Sequence, residues 1–515
     1  MTSGLTTGRL AAAAAHTQAA LAVHAPDLVA GFLDHLPHAA GTVGRRLRGA
    51  LAREGLTSDS DRDATRHAFH RVEFARSGVA DPVELLGGLD APGFAAEIRN
   101  AVINLAIALA RPGPRRGGDA DEAAIAGERL AISGHNLHPC GRTRLGWDTG
   151  DVLAHDLEAG ATEIRFIAVR DTAHVGDDLS ELYPDIAYSR PGYRLQPVHA
   201  WQHELVLDRY AHLFADGTLH QVDGHLDAIP TAALRTLLLP AGADGKRRYL
   251  KVSLDIQVTS TRRSISVAST RNGPAVSTLL HRLAADEPTL LLMAETAGAA
   301  VPAGSGRDLS AIVRDGLTGR LAPGEEAITG SALPYRMREL ITRHGGGDAA
   351  WLTDYAQLLL PPLLRLATRG VALEAHLQNC LPTFVDGRPH RLALRDFAGL
   401  RLHLPRLTAA GHQVDLWPGS VVGTDDPAVM RAKLGYTAFQ AHLGELVLHL
   451  DLDERAAWRI VRDVVDETYD NLDSPEARAD HAAFTAPTVP HKALVRMRLA
   501  DNGDIYIPVE NPLHG

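Results

Sequence analysis

Residues 248–267 read RYLKVSLDIQVTSTRRSISV. Val252, Leu254, Ile256 and Val258 alternate with Lys251, Ser253, Asp255, Gln257 and Thr259. The period of two predicts a strand with one buried and one polar face, and hence a half-buried sheet. The polar run that closes it, Thr259 to Ser266, gathers hydroxyl and guanidinium donors at a strand end, where several can converge on one phosphate or carboxylate. Straight strand would put Lys251 and Thr259 about 26 Å apart. Either they hold opposite ends of a long ligand or the strand bends. Taken singly, each arginine here reads better as a solvated surface charge.

The segments around this strand divide into three units. EIRFIAVR (163–170), GYRLQPVHAWQHELVL (192–207) and GTLHQVDG (217–224) also alternate and read as strands. Before them, Leu10–Leu36 and DPVELLGGLDAPGFAAEIRNAVINLAIALA (81–110) carry the three- and four-residue spacing of helices, the second with Asp-Pro and Asp-Ala-Pro starts. The Gly-, Pro- and charge-rich run RPGPRRGGDADE (111–122) reads as a loop or boundary. After them, residues 274–287, 354–370 and 453–472 read as helices. VALEAHLQNCLPTF (371–384) and RPHRLALRDFAGLRLHL (388–404) alternate again. There is no internal repeat, and the class is α+β.

At 515 residues the chain exceeds one compact core, and two to four structural units are expected. Its 52 basic and 62 acidic side chains leave a net charge of −10. That balance argues against sequence-independent nucleic-acid binding, which needs a positive surface, while a local basic pocket stays open. Two cysteines, Cys140 and Cys380, offer neither a disulfide framework nor a thiolate zinc cluster. The Ala-rich start lacks the layout of a signal peptide, and the apolar run AVINLAIALA (101–110) is shorter than a bilayer span of ~20 residues. A cytoplasmic protein with no membrane partner is the expectation.

Two further clusters could carry chemistry. SGHNLHPCGRTRLGWD (133–148) crowds His135, His138, Arg142 and Arg144 between turn-formers. Gly134, Pro139 and Gly141 favour a loop; a zinc site lacks a third ligand at an obvious spacing, and the arginines suit an anion. A structural turn with surface arginines is the stronger reading of these residues alone. In VALEAHLQN, a strand would aim Glu374, His376 and Gln378 the same way. Glu374 and Asp396 on neighbouring strands could share a Mg²⁺ with a phosphate completing the shell, and a solvent-facing sheet surface explains the pattern equally well.

Taken in order, GHNLHPCGRTRLG, VHAWQ, KVSLDIQVTSTRRSIS, EAHLQN with RDFAG, and HKALVRMRL followed by ENPL resemble the motifs of the NRPS-independent siderophore synthetases of the IucA/IucC (aerobactin synthetase) type. The matches run from Gly134 almost to the C-terminus. The resemblance implies a cupped-hand α+β fold: a helical thumb (1–128), mixed α/β fingers (129–330) and an α+β palm containing antiparallel sheet (331–515). It implies an ATP- and Mg²⁺-dependent ligase that adenylates citrate, a related dicarboxylic acid or its monoamide, then condenses it with an amine or alcohol. Ser133, His138, Arg142, Arg235, Lys251 and Arg263 would meet the nucleotide. Thr259, Arg263, His376, Asn379 and Lys492 would meet the acid, and Glu374 with Asp396 the Mg²⁺. Arg263, His376 and Lys251 would act in catalysis, and a homodimer is the usual assembly.

Departures from the family pattern fall at Asn136, Arg142, Ala200 and Ala233, the last removing a hydroxyl that commonly precedes the arginine of the "xRT" triplet. The rival readings are a ligase working through an acyl phosphate and a non-catalytic citrate- or siderophore-binding protein. Asp396 is expected as an exposed cleft carboxylate whose replacement leaves the fold intact.

Overall fold

The computed structural model of the chain describes residues 8–57, 63–113, 118–186, 188–259, 261–500 and 503–515. Ser260 of the TSTRR run and residues 114–117 of the Pro-Gly run lie outside these. In the N-terminal third, helices Arg9–His24 and Val29–Arg53 are separated at Ala25-Pro26. The helical spacing through Leu10–Leu36 is thus shared by two helices, with Pro26 opening the short turn between them and Pro37 carried inside the second. Asp81 opens the Pro82–Leu86 turn by accepting from Val83 N–H at 3.0 Å.

Helix Pro92–Ala110 begins nine residues before the apolar run that announced it, and with 19 residues it has the length and apolarity to cross a membrane. The expectation that this segment is too short does not hold. Its apolar side is spent inside the protein, where Phe94, Ile98, Val102, Leu105 and Ile107 are buried against Val29–Arg53.

The middle of the chain builds an eight-stranded sheet in the order Val175–Gly176, Glu295–Ala300, Ser310–Asp315, Arg248–Val252, Thr236–Leu238, Leu219–Pro230, Thr162–Arg170, Tyr193–His199. Every pairing is antiparallel. The sheet curls until its Tyr193–His199 edge approaches Arg248–Val252 and Ser310–Asp315. In GYRLQPVHAWQHELVL only the first half is strand. His199 Nδ1 accepts from Trp201 N–H at 3.2 Å and starts helix Ala200–Arg209.

The decisive stretch also departs from its reading. The strand breaks at Ser253 into Arg248–Val252, central in the large sheet, and Leu254–Val258, which pairs with Thr261–Arg263 in a separate hairpin. Alternating burial holds only for the second piece. Arg248–Val252 is covered on both faces, so Lys251 is only 2 % exposed.

The C-terminal third packs helix Gly347–Thr368 against a four-stranded sheet ordered Leu290–Leu292, Arg388–Leu394, Cys380–Val385, Glu326–Ala327, with Glu454–Asp470 packed on the helix. A three-stranded sheet joins Val371–Ala372, Arg401–His403 and Gly423–Thr424. The strand expected through VALEAHLQN ends at Ala372, and residues 373–379 are loop and turn. Burial still alternates from Leu373 to Leu377, so the pattern reported side-chain direction correctly and backbone conformation wrongly. The curled antiparallel sheet among helices is the expected α+β fold.

Candidate functional site

The break at Ser253 is what builds the site. Past it, Leu254–Val258 leaves the large sheet, Thr259 turns with φ 55°, and Thr261–Arg263 returns with a bulge between Arg262 and Arg263. A bulge re-aims the side chain that follows, and Arg263 lines the cleft with its Nε buried and without an acceptor. Arg263 Nη2 donates to Thr259 Oγ1 at 3.4 Å. Arg235 does not line this cleft. Its Nη1 donates to the carbonyls of Arg263 and Ser264 at 2.8 and 2.9 Å, holding the returning strand in place. Burial pulls the Arg263 guanidinium down to about 10, with Arg235 adding to the shift.

The 133–148 loop is stitched to that hairpin by reciprocal bonds between Leu145 and Gln257, 3.1 and 2.9 Å. Gly134 and Gly141 pinch its base. A Cβ on Gly134 would stand 2.5 Å from the Gly141 carbonyl, and one on Gly141 would stand 2.5 Å from the Ser133 carbonyl. His135 Nδ1 accepts from the N–H groups of Leu137 and His138, and His138 Nδ1 accepts from Cys140 N–H. Burial holds His135 well below the usual imidazole range and His138 at about 3. Both are therefore neutral turn-formers. His135 lines the cleft, whereas His138 lies behind it.

The arginines of this loop are not on the surface. Arg142 is 5 % and Arg144 2 % exposed. Arg142 pairs with Glu158 at 2.7 Å, and Arg144 forks onto Asp156 at 2.9 and 3.1 Å. Against burial, Asp156 and Glu158 keep Arg142 above the usual guanidinium value. Arg142 retains one buried, unpaired Nε in the cleft wall. Ser133 serves as an acceptor: Arg46 Nη2 donates to its Oγ at 2.8 Å, and Arg46 Nη1 to its carbonyl at 2.8 Å.

Asp396, Glu374 and Lys251 do not line this cleft; Asp396 sits in the left-handed region at φ 65°. Its Oδ1 accepts from Lys251 Nζ at 2.7 Å, and its Oδ2 lies 3.6 Å from Arg314. Burial disfavours its charge, yet Lys251, Arg314 and Arg235 together hold the carboxyl far below the usual range. Its side chain is 27 % exposed, so the exposed carboxylate expected from sequence is half-buried, and its partner Lys251 is fully buried. Behind it, Glu295 contacts Lys251 at 3.8 Å and Arg314 at 3.4 Å.

Glu374 pairs with Lys433 at 3.0 Å, and Gly399 leaves it room, since a Cβ there would fall 1.8 Å from Glu374 Oε2. His376 lines the cleft and is lowered by burial. Asn379 Nδ2 donates to the Glu374 carbonyl at 3.1 Å, and Lys492 pairs with Asp504 at 2.7 Å, so both close local structure instead of lining the cleft.

Among the described residues no three His, Cys, Asp or Glu side chains form a metal cage. Two hard oxygen donors with no further protein ligand suit a Mg²⁺ that keeps waters and takes its other ligands from phosphates. Lys251 takes Asp396 Oδ1 and Lys433 takes Glu374 Oε1, so the ion would be held by the second oxygen of each carboxylate, and on that footing the donor set fits it.

Four contributors escaped the sequence reading: Arg46, Arg314, Lys433 and Glu128. Arg46 sits in an amphipathic helix, and Glu128, which pairs with Arg395, in a short one. Nothing in their spacing distinguishes them from solvated charges.

Residues 123–335 match the model of the IucA / IucC family, and residues 349–507 match that described as Ferric iron reductase FhuF-like transporter. The second segment carries one cysteine, Cys380, which is buried. A D-ornithine--citrate ligase of Staphylococcus aureus is 25% identical over 468 residues, 77% of this chain and 71% of that protein. The petrobactin biosynthesis protein AsbB of Bacillus anthracis str. Sterne superposes with a TM-score of 0.82 at 21% identity, over 97% of this chain and 98% of that one. ATP-bound aerobactin synthetase IucA of a hypervirulent Klebsiella pneumoniae pathotype gives 0.74 at 19% identity, over 92% and 99%.

Proposed function

The chain matches the IucA/IucC family in sequence over residues 123–335 and in fold over nearly its whole length, and on that premise we propose that it is an ATP-dependent ligase of siderophore-type biosynthesis. It activates a carboxylate of citrate, a related dicarboxylic acid or its monoamide as an acyl-adenylate, and passes the acyl group to an amine or alcohol. One observation carries this reading. The cleft holds more buried guanidinium donors than the protein satisfies, with Arg142 and Arg263 each keeping an unpaired Nε. Buried donors without acceptors are costly, and a polyanionic ligand would satisfy them.

In the first step a carboxylate oxygen attacks the α-phosphorus of ATP and the bond to pyrophosphate breaks. Negative charge grows on the phosphate oxygens. Arg263, fixed through Thr259 and Arg235, is positioned to take up that charge. Lys251, buried behind the cleft and held by Asp396 and Glu295, adds a second cation to the site. His376, neutral at pH 7, offers the acid an uncharged N–H donor. Mg²⁺, held through Glu374 and Asp396, would shield the phosphates. In the second step the nucleophile attacks the acyl carbon, the C–O bond to AMP breaks, and the nucleophile gives up a proton. The pinched 133–141 loop and the hairpin hold the reactants together, which favours attack in line.

The test is an acid panel with ATP, Mg²⁺ and hydroxylamine. Citrate, succinate, 2-oxoglutarate and their monoamides are scored for hydroxamate and pyrophosphate. Equal amounts of both from one acid support the adenylating ligase and identify its acid. ADP and phosphate in their place establish the acyl-phosphate route, and binding without turnover by any acid leaves only a binding protein.

A further inference from the structure

Behind the 133–141 loop lies a second cavity, separate from the hairpin and the Glu374–Asp396 side. It is floored by the helix Val29–Arg53, on which Arg46 and Arg53, seven residues apart, share one side with Arg45 at its margin, and it is walled by Arg71. Its anions are Glu73 and Glu445, and both are spent on Arg71: Glu445 Oε2 accepts from Nη1 and Glu73 Oε1 from Nη2, each at 2.7 Å. Asn136 Nδ2 takes a further bond to Glu445 at 3.0 Å. Four guanidinium groups therefore face two carboxylates, and among the described residues Arg45, Arg46 and Arg53 form no ion pair with a carboxylate, although Glu445 lies close enough to favour the charge on Arg46.

Arg53 is the most exacting of the three. Its Nη1 donates to His491 Nε2 at 3.2 Å, and His491 Nδ1 donates to Gln440 Oε1 at 2.6 Å. Its Nε is buried with no acceptor. Arg46 spends its bonds on neutral oxygens of Ser133 and His135. Arg46, Asn136, Glu445 and His449 line this cavity and the main cleft alike, so the two adjoin.

We propose that this arginine-lined cavity seats a carboxylate carried by the nucleophile, so that the second substrate is an amino acid or other carboxylated amine or alcohol, not a simple polyamine or amino alcohol. The assignment rests on the ligase reading above and narrows it. A guanidinium pair that forms no ion pair with the protein is a fork for a carboxylate, whereas a polyamine would meet a wall whose four guanidinium groups outnumber its two carboxylates. The substrate would reach from this cavity past Arg46 into the cleft, with its carboxylate behind the loop and its nucleophilic nitrogen or oxygen towards the activated acyl group.

The test pairs nucleophiles that differ only by a carboxylate: ornithine with 1,4-diaminobutane, 2,3-diaminopropanoate with ethylenediamine, serine with ethanolamine. Condensation is assayed with the acid the hydroxylamine panel identifies, and each probe's equilibrium binding is measured by calorimetry. The expected result is a KM at least tenfold lower for the carboxylated member of one pair. Arg53→Met should bring that ratio close to one, and Arg53→Lys should restore part of it, with thermal midpoints reporting folding. Equal KM values within every pair, or a ratio unmoved in a folded Arg53→Met, overturn the proposal while a positive hydroxamate leaves the ligase reading standing. Without hydroxamate from any acid the ligase reading fails, and calorimetry decides this one: tighter binding of a carboxylated probe, lost in Arg53→Met, upholds the carboxylate seat, and indifference overturns it.

Discussion

Three residues with side chains hold positive φ beside the cleft: Leu234 at 62°, Thr259 at 55° and Asp396 at 65°. Such conformations cost roughly 1–2 kcal/mol each and persist where the surroundings enforce them. Leu234 sets up Arg235, Thr259 turns the hairpin, and Asp396 faces Lys251. Replacing Thr259 by glycine should release that strain and raise unfolding free energy by about 1 kcal/mol. It also removes the hydroxyl that Arg263 leans on, so kcat/KM should fall at least tenfold. Denaturant titration and initial rates on one preparation check this, and a destabilised variant with full activity would be the contrary result. Asp396→Asn reaches further than a cleft substitution normally does. It leaves Lys251 buried with Glu295 as its remaining carboxylate at 3.8 Å, and breaking such a pair costs about 3 kcal/mol. Loss of activity with unchanged stability would contradict the pairing.

At the scale of elements, the pinched loop and the broken strand form one device. Gly134, at φ 72°, lies against the Gly141 carbonyl with no space for a Cβ, so Gly134→Ala must open the base of the loop. His135 and Arg46 then lose their places, because Arg46 reaches the carbonyls of both Ser133 and His135. A fall in kcat/KM of more than tenfold is expected, with the far-ultraviolet spectrum retained, since the loop adds little regular structure. Full activity in Gly134→Ala would show that the pinch is dispensable. Asn136, a departure from the family pattern, has a role of its own here. Its amide donates to the Ala441 carbonyl and to Glu445, each at 3.0 Å, tying the loop to the wide helical turn Gly435–Leu443.

Across the whole molecule, charged pairs join parts distant in sequence. Glu54 accepts from the N–H groups of Val495 and Arg496 at 2.9 and 2.7 Å, Glu97 pairs with Arg498, and Glu128 with Arg395. Buried histidines set the acid limit of this assembly. Burial lowers His138 and His199 to about 3 and His442 to about 4, all from 6.5. Their stabilising effect is complete above about 6.5. It drains as pH falls from there towards 4, because the unfolded chain binds protons that the folded chain refuses. Each histidine contributes a slope of about 1.4 kcal/mol per pH unit in that window. Denaturation midpoints should therefore be level from pH 7 to 8 and drop steeply between pH 6 and 5. A level profile down to pH 5 would mean that these rings are hydrated.

The α+β class, the amphipathic helix at 454–470, the large sheet's strands and the order of the motifs were legible in the sequence, because periodic burial and turn-forming residues act over a few positions. The motifs dense with hydrogen-bond donors also named Arg263, His376 and Arg142, and the fold brings these three to one cleft. The break at Ser253, the loop through Glu374 and His376, and the burial of Arg142 and Arg144 were not legible. Alternation reports which way side chains point and is silent on whether the backbone continues as strand. Arg46, Arg53 and Arg71 carry no local mark either. A guanidinium beside its counter-charge and one left without it look the same in sequence, and only packing of helix Val29–Arg53 against residues some 400 positions later decides which of them still has a hydrogen bond to give.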